Sequence, residues 1–167
     1  MELSIRAATP DDLAALDALF LEGDAWHAAH EATVFRVPTG EPRPHDYLRG
    51  IISADDSTIL VAERQGEVLG MLLLLIRGTP DLPMMAPRRI GIIDTLIVVA
   101  RARRQGIARR LMLAGEEWFA ARDCVDLQLT VWDFNVGAQA LYRQLGYAPQ
   151  NRRLAKRLGA APAHDGD

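Results

Sequence analysis

Residues 96–111 join a buried-strand pattern, a basic turn and the start of a helix in one run: Leu96-Ile97-Val98-Val99-Ala100-Arg101-Ala102-Arg103-Arg104-Gln105-Gly106-Ile107-Ala108-Arg109-Arg110-Leu111. A helix N-terminus presents about four unpaired N–H groups and the positive end of the helix dipole, and together these attract phosphate. Gly106 and Ala108 keep the backbone of the turn accessible, and the arginines around them can add charge-assisted contacts. The run therefore predicts a site for a diphosphate ligand.

The turn lacks the signatures of two common nucleotide-binding loops. No Gly-Lys-Ser/Thr follows it, and its single glycine does not make a Gly-x-Gly-x-x-Gly turn. Its five arginines between positions 101 and 110 are also typical of a solvated or DNA-facing surface. The formal net charge of −3 argues against a protein that coats nucleic acid or an anionic membrane. We therefore expect no nucleic-acid partner and no membrane partner.

A second motif follows a predicted strand that ends at Trp132. It reads Asn135-Val136-Gly137-Ala138-Gln139-Ala140-Leu141-Tyr142-Arg143-Gln144-Leu145-Gly146-Tyr147, with apolar residues at helical spacing and a glycine that stops the helix. Together the two motifs resemble the GNAT family of acyl-CoA N-acyltransferases. That family's phosphate turn, Arg/Gln-x-x-Gly-x-Gly/Ala, is matched by residues 103–108, and its Asn-x-x-Ala-x-x-Leu-Tyr-x-x-x-Gly-Phe/Tyr motif is matched by residues 135–147. The resemblance covers about residues 3–150.

Periodicity along the chain predicts a series of strands and helices. Strands are expected at residues 3–7, 58–62, 68–76, 90–99 and 125–131, and helices after Thr9, over 45–54, over 107–123 and over 138–145. The segment 26–44 is expected to be irregular or partly helical, and the basic residues Arg152, Arg153, Lys156 and Arg157 are expected on a solvated strand edge. The predicted fold class is α/β (α+β), with one GNAT-type domain over residues 1–159 and a flexible tail over 160–167. Its sheet is expected to be mixed, mostly antiparallel and twisted, with about six to seven strands flanked by about four helices.

The resemblance implies a binding mode for acetyl-coenzyme A (acetyl-CoA) as the cosubstrate. The ligand would lie between the strand at 90–99 and the strand at 125–132. The backbone of Leu96, Ile97 and Val98 would pair with its pantetheine arm as if the arm were an added strand. Asn135 would contact the same arm. The pyrophosphate would be held by the turn that contains Arg103, Arg104, Gln105, Gly106, Ile107, Ala108 and Arg109.

Acetyl transfer to an amine needs a proton acceptor for the attacking ammonium and a proton donor for the departing thiolate. The motif implies that Tyr142 is the general acid. Asp94 lies four residues before Val98. The resemblance implies that Asp94 occupies the position at which many members of the family carry a glutamate base, and its shorter side chain would act through water. A backbone N–H at Val98 would polarise the acyl oxygen. Apart from the motifs, Asp94 can equally bond a backbone group or an arginine, and Tyr142 can be a half-buried core aromatic.

The acceptor side of the predicted site carries no recognisable motif. His27, His30 and Glu31 are expected to line the acceptor pocket or to lie in solvent, and a relay through one of them is the rival to Asp94 as the base. The two histidines could share a helical face and bind a metal, but no HExxH pattern accompanies them, so no metal is expected. Cys124 is the only cysteine, so an internal disulfide is excluded and a cytoplasmic location is expected.

These patterns predict an N-acetyltransferase that moves an acetyl group from acetyl-CoA to an amine. Direct transfer in a ternary complex is expected because no covalent nucleophile is apparent. The alternative is a non-catalytic acyl-CoA-binding sensor or regulator on the same fold. The acceptor is left open among small amines, amino acids, aminoglycoside-like drugs and protein N-termini. Dimers are common among proteins that resemble this one, so a homodimer is also left open.

Overall fold

A five-stranded sheet forms the centre of the domain. The computed structural model describes residues 2–159, and within them the strand order is β1-β2-β3-β4-β5. The strands are β1 (Ser4–Ala7), β2 (Ser57–Arg64), β3 (Glu67–Gly78), β4 (Arg89–Val98) and β5 (Asp126–Leu129). All neighbouring pairs are antiparallel except β4 with β5, which is parallel. The predicted mixed, mostly antiparallel sheet is confirmed, with fewer strands than the six to seven expected.

The predicted strand edge after residue 147 is absent from the described part of the chain. Residues 148–158 form neither helix nor strand, so the placement of Arg152, Arg153, Lys156 and Arg157 on a strand is wrong. The physical reason is that this segment has no apolar face to bury, since Leu154 and Leu158 are 90% and 91% exposed. The tail predicted over 160–167 lies outside the described residues.

β2 and β3 form the hairpin that the sequence predicts. Gln65 and Gly66 join the strands with φ angles of 59° and 78°, the left-handed geometry of a two-residue hairpin turn. β3 is buried without interruption from Leu69 to Ile76 because helices cover both faces of the sheet.

Four α-helices flank the sheet within residues 2–159: α1 (Leu13–His30), α2 (His45–Ser53), α3 (Ile107–Ala120) and α4 (Val136–Gln144). One core lies between the sheet and the first two helices, with Phe20 and Leu48 packed in the cluster that contains Leu73. A second core lies on the opposite face, with Phe119 of α3 buried beside Leu72 and with α4 packed against it. The two cores fix both faces of β3 and β4.

Helix α1 is longer than the sequence indicates. It continues through His30, into the segment 26–44 for which irregular or partly helical structure is predicted. The prolines of that segment all lie beyond the end of α1, whereas Ala28 and Ala29 are strong helix formers. Pro44 instead forms the N-cap of α2. The added turn carries His27 and His30, so it brings the predicted acceptor residues onto a rigid element.

Candidate active site

β4 leaves half of one edge unpaired. On its first side it pairs with β3 from Arg89 to Val98. On its second side the parallel pairing with β5 spans only Ile90 to Ile93, so the two strands separate beyond that point. The backbone of residues 94–98 therefore borders an opening between β4 and the chain that follows β5. An extended ligand can pair with such an edge as an added strand. Of the three residues predicted to pair with it, Leu96 and Val98 face this edge, whereas Ile97 pairs with Met71 of β3.

Asp94 occupies a β-bulge at the point where the strands separate. Opposite β3, Ile93 pairs with Leu74 and Thr95 pairs with Leu73, so Asp94 is the extra residue. A bulge bends its strand and redirects a side chain. The Asp94 side chain is exposed and accepts a hydrogen bond of 2.9 Å from the Thr95 hydroxyl. The structure thus places an accessible carboxylate beside the open edge, as a proton acceptor requires.

The turn between β4 and α3 presents a row of free backbone donors. The first backbone bond of α3 runs from the Arg110 N–H to the Gly106 carbonyl at 3.0 Å, and within residues 2–159 the N–H groups of 104–109 have no backbone acceptor. Arg104 and Gly106 adopt left-handed φ angles of 63° and 79°, which curl the turn. A Cβ atom at Gly106 would meet nothing within 4 Å. This open cradle of donors at a helix N-terminus fits a pyrophosphate.

Arg103 is directed toward the protein rather than toward the cradle. Its Nε donates to the Val98 carbonyl at 2.9 Å, and its terminal nitrogen contacts Glu22 Oε1 at 3.2 Å. The same Glu22 oxygen accepts the Ala100 N–H at 2.6 Å. These contacts join the end of β4, the turn and α1. We call Glu22 and Arg103 the turn clamp. Sequence analysis missed Glu22, because a single acid on a helix gives no signal of a partner about 80 residues away.

Of the other predicted phosphate-turn residues, some have exposed side chains and others contact or pack against the protein. Arg104 and Arg109 are exposed beside the free amides. Gln105 accepts a hydrogen bond of 3.1 Å from Arg64 and donates one of 3.2 Å to the Arg101 carbonyl. Ile107 is buried in the core under α3, and Ala108 is half-buried beside it. Ile107 and Ala108 therefore offer their backbone N–H groups, and not their side chains, to a ligand in the turn.

Asn135 and Tyr142 lie on α4 with different surroundings. The Asn135 side chain caps the helix, because its Oδ1 accepts the Ala138 N–H at 3.1 Å. That bond leaves the amide nitrogen of Asn135 as the group able to reach a ligand. The Tyr142 ring packs on the core under α3, 6.0 Å from the Tyr147 ring, and burial raises the pKa of its hydroxyl to about 12. The Tyr142 hydroxyl therefore keeps its proton at physiological pH.

The end of α1 lies close to the open edge of β4. A Cβ atom at Gly23 would come within 2.8 Å of Ile97 Cδ1, so a larger residue at position 23 would require the Ile97 side chain to shift. One turn later, Nδ1 of His27 lies 2.9 Å from the Gly23 carbonyl, and Nδ1 of His30 lies 2.7 Å from the Trp26 carbonyl. A carbonyl only accepts, so Nδ1 carries the proton and Nε2 remains the proton acceptor of each neutral ring.

Six aromatic rings connect the end of α1 to the segment after β5. Stacked, tilted and edge-on contacts with ring centroids between 4.2 and 6.0 Å join them into one ring cluster, formed by Trp26, His27, His30, Phe35, Trp132 and Phe134. Glu31 lies next to it and accepts a hydrogen bond from the Thr33 hydroxyl. Sequence analysis found the two histidines and missed the other four rings, although the chain has only three Trp and four Phe to place.

Two classes of site are not formed by the described residues. Across 2–159, His, Cys, Asp and Glu side chains make no group of three or more that could hold a metal ion. Among the helices of the same residues, none is long and apolar enough to cross a membrane.

Comparisons with known proteins agree with this arrangement. An uncharacterized N-acetyltransferase, YhfO of Bacillus subtilis (strain 168), is 28% identical over 145 residues, which span 87% of this chain and 89% of that protein. The aminoglycoside N(6')-acetyltransferase type 1 of Serratia marcescens is 27% identical over 136 residues, or 77% of this chain and 87% of that one. Both relatives are named as N-acetyltransferases.

Solved structures show the same fold. A mutant of the BH1408 protein from Bacillus halodurans superposes with a TM-score of 0.86 at 27% identity, over 93% of this chain and 99% of that chain. The aminoglycoside N-acetyltransferase AAC(6')-Iy, solved in complex with CoA, superposes with a TM-score of 0.68 at 18% identity, over 93% and 94% of the two chains. The sequence pattern of the acetyltransferase (GNAT) family matches residues 24–147. Since that match spans most of the 167 residues and coincides with the open strand edge and the phosphate turn, the chain belongs to the acetyltransferase (GNAT) family.

Proposed function

We propose that the protein is an N-acetyltransferase that uses acetyl-CoA and transfers the acetyl group directly to an amine in a ternary complex. The observation that carries this proposal is the continuity of the open β4 edge with the free amides of residues 104–109. The pantetheine arm and the pyrophosphate are consecutive parts of coenzyme A, and the open edge and the turn follow each other in the same order. A cytoplasmic location is part of the proposal and is supported by the single cysteine.

Different groups of the chain bind different parts of acetyl-CoA in this proposal. Leu96 and Val98 offer backbone groups to the pantetheine arm, because alternate residues of a strand face opposite edges and Ile97 pairs with Met71 of β3. The turn offers its N–H groups to the pyrophosphate. Arg104 and Arg109 add positive charge at the rim of the turn. The Asn135 amide nitrogen can donate to the arm while its oxygen caps α4. Bound acetyl-CoA supplies an activated thioester.

Transfer moves two protons and exchanges one bond for another. The neutral amine nitrogen attacks the thioester carbon, a C–N bond forms, and the C–S bond breaks. A base takes one proton from the amine, and Tyr142 gives its hydroxyl proton to the departing thiolate. Burial raises the pKa of Tyr142 to about 12, so its hydroxyl is protonated at physiological pH and can donate to the thiolate. Bulk water then restores the proton to Tyr142 after the base releases its own, so the charges balance over one cycle.

Asp94 is our proposal for the base. It is exposed at the bulge where β4 and β5 separate, within the opening that an amine must enter. Its short side chain calls for a water molecule between the carboxylate and the amine. The rival is Nε2 of His27 or His30, since hydrogen bonds at Nδ1 leave those atoms free to accept a proton. Comparing the turnover of the variants Asp94→Asn, His27→Gln and His30→Gln separates the two assignments. Loss of turnover in Asp94→Asn supports Asp94 as the base, and loss in a histidine variant supports that histidine.

The test begins with calorimetry of acetyl-CoA binding and continues with thiol release over a panel of amines in the same preparation. Binding followed by thiol release establishes the enzyme. Binding without release on any amine favours the acyl-CoA sensor, and no binding contradicts the whole proposal. Tyr142→Phe should keep the affinity for acetyl-CoA and lower kcat by about 10²-fold or more. Tyr47→Phe is the matched control, because Tyr47 is 46% exposed on α2 and away from the site.

One relative points to an acceptor class for the amine panel. The Serratia marcescens relative is named for aminoglycosides. Aminoglycosides therefore belong in the amine panel, beside amino acids, small amines and peptides with free N-termini. A homodimer is a separate proposal, and the mass of the protein in solution tests it.

A further inference from the structure

We propose that the acceptor is a primary amine carried on a flat aromatic body, and that the ring cluster holds that body. This inference rests on the proposed function, because it names the substrate class of the same transfer site. It is argued from the position of the cluster, from its separation from the cores and from the chemistry of its faces.

The ring cluster is not part of either hydrophobic core. None of its six members is found among the residues of the two core clusters or among the partly buried residues packed against them. Its rings contact each other instead, and Trp132 remains 41% exposed. Aromatic side chains are the largest apolar groups that a chain can bury, and this chain holds few of them. A group of rings kept together at the surface is therefore available to a ligand.

The cluster spans the opening between β4 and the segment after β5. Trp26, His27 and His30 follow Gly23, where α1 lies against Ile97 of the open edge. From the other side, Phe134 directly precedes Asn135, the cap of α4. The Phe134 ring is stacked on His30 with centroids 5.5 Å apart. The rings thus lie between the end of α1 and the segment after β5, and Asp94 lies on β4 directly after its pairing with β5 ends.

The chemistry of the cluster selects between amine classes. Indole, phenyl and imidazole faces pack on a flat ring by offset stacking, and they attract a single ammonium group through the ring quadrupole. An aminoglycoside carries its ammonium groups on sugar rings without flat apolar faces, so it gains little from stacking on the cluster. The single ammonium of an arylalkylamine needs one carboxylate, and Glu31 and Asp133 are next to cluster residues in the sequence.

The first measurement is binding, independent of turnover. Calorimetry on the protein saturated with CoA compares 2-phenylethylamine and tryptamine with butylamine and with kanamycin. The expected result is that both arylalkylamines bind at least 10-fold more tightly than butylamine and kanamycin. Kanamycin binding more tightly than tryptamine would overturn the inference, and so would equal affinity for tryptamine and butylamine.

Variants test whether the cluster carries the selectivity. Trp132→Ala and the milder Phe134→Leu should each raise the Kd and KM for tryptamine by about 10-fold and leave the values for butylamine and the Kd for acetyl-CoA unchanged. The unchanged acetyl-CoA affinity shows that each variant has folded. Tyr47→Ala is the control, because it removes an exposed aromatic ring of α2 outside the cluster. Unaltered tryptamine binding in both cluster variants would refute the assignment. If tryptamine binds selectively but no amine is acetylated, the inference about binding stands and the proposed enzyme activity fails.

Discussion

Removing the carboxylate of Glu22 should weaken acetyl-CoA binding, although the change makes the site less negative. Glu22 Oε1 accepts the Ala100 N–H at 2.6 Å and lies 3.2 Å from the Arg103 guanidinium. Arg103 in turn donates to the Val98 carbonyl. Without the carboxylate, the turn loses the contacts that fix where its free amides point. Preorganised donors bind an anion better than mobile donors do, because less entropy is lost on binding.

The size of the effect follows from the two contacts. The side chains of Arg103 and Glu22 are 41% and 36% exposed, so their ion pair contributes no more than about 1 kcal/mol. A hydrogen bond from a backbone N–H to a charged carboxylate contributes about 1.5–3 kcal/mol, and water replaces part of it at the exposed Ala100. For Glu22→Ala we expect a loss of about 1–2 kcal/mol, or a Kd for acetyl-CoA raised 5- to 30-fold.

Calorimetry with acetyl-CoA on three variants separates this clamp from simple electrostatics. Glu22→Gln keeps an acceptor oxygen for Ala100 and should lose less affinity than Glu22→Ala. Glu67→Ala removes another acid near the turn, the exposed partner of Arg101, and should leave the Kd unchanged or slightly lowered. Tighter binding by Glu22→Ala, or the same affinity as the unmodified protein, would show that the clamp does not order the turn.

Gly106, Asp12 and Asn135 allow three further tests. Gly106→Ala places a Cβ at a φ of 79°, so calorimetry should show weaker acetyl-CoA binding and urea unfolding a loss of about 1 kcal/mol. The Arg6 guanidinium holds the pKa of Asp12 at about 2, below its ordinary 3.8. The resulting ~2 kcal/mol of stability is present above pH 4 and lost as the pH falls toward 2, so Asp12→Asn should flatten that dependence in urea unfolding. Asn135→Ala should lower the free energy of unfolding by about 1 kcal/mol and Asn135→Asp should not, because aspartate also caps the helix.

The parts of the fold that sequence analysis predicts are those with strong local signals. The β2–β3 hairpin follows from two apolar runs that flank Gln65-Gly66, and α3 follows from a glycine before an amphipathic run. Each of these elements is decided by residues within about ten positions of each other. Their predicted bounds therefore lie within a few residues of the observed ones.

Elements that depend on distant partners were predicted less well. A run of basic residues near the end of the chain suggests a strand edge, but a strand needs a neighbour to pair with and a face to bury. The region 148–158 has neither in the described structure. The prediction of irregular or partly helical structure over 26–44 leaves the end of α1 open, because the prolines of that segment act only beyond His30.

The candidate site shows the same division. The motifs locate the open strand, the phosphate turn and α4, since each motif is contiguous in sequence. The bulge at Asp94 is a matter of register with β3, and register is decided by pairing between strands. Four members of the ring cluster come from three separate segments, and only the tertiary fold brings them together. A single sequence carries no local signal for either feature.

Two residues that the motifs single out as ligand contacts have structural partners of their own. Arg103 donates to Val98 and contacts Glu22, and the Asn135 oxygen caps α4. In both cases a side chain fixes the backbone next to the ligand path, and the backbone N–H groups or the remaining polar atom are left for the ligand. A motif of this kind therefore describes the shape of a site more than its contacts. Selectivity for an acceptor is then expected from residues outside the motifs. None of the six members of the ring cluster lies in either motif, which is why we propose the cluster, and not the motifs, as the acceptor site.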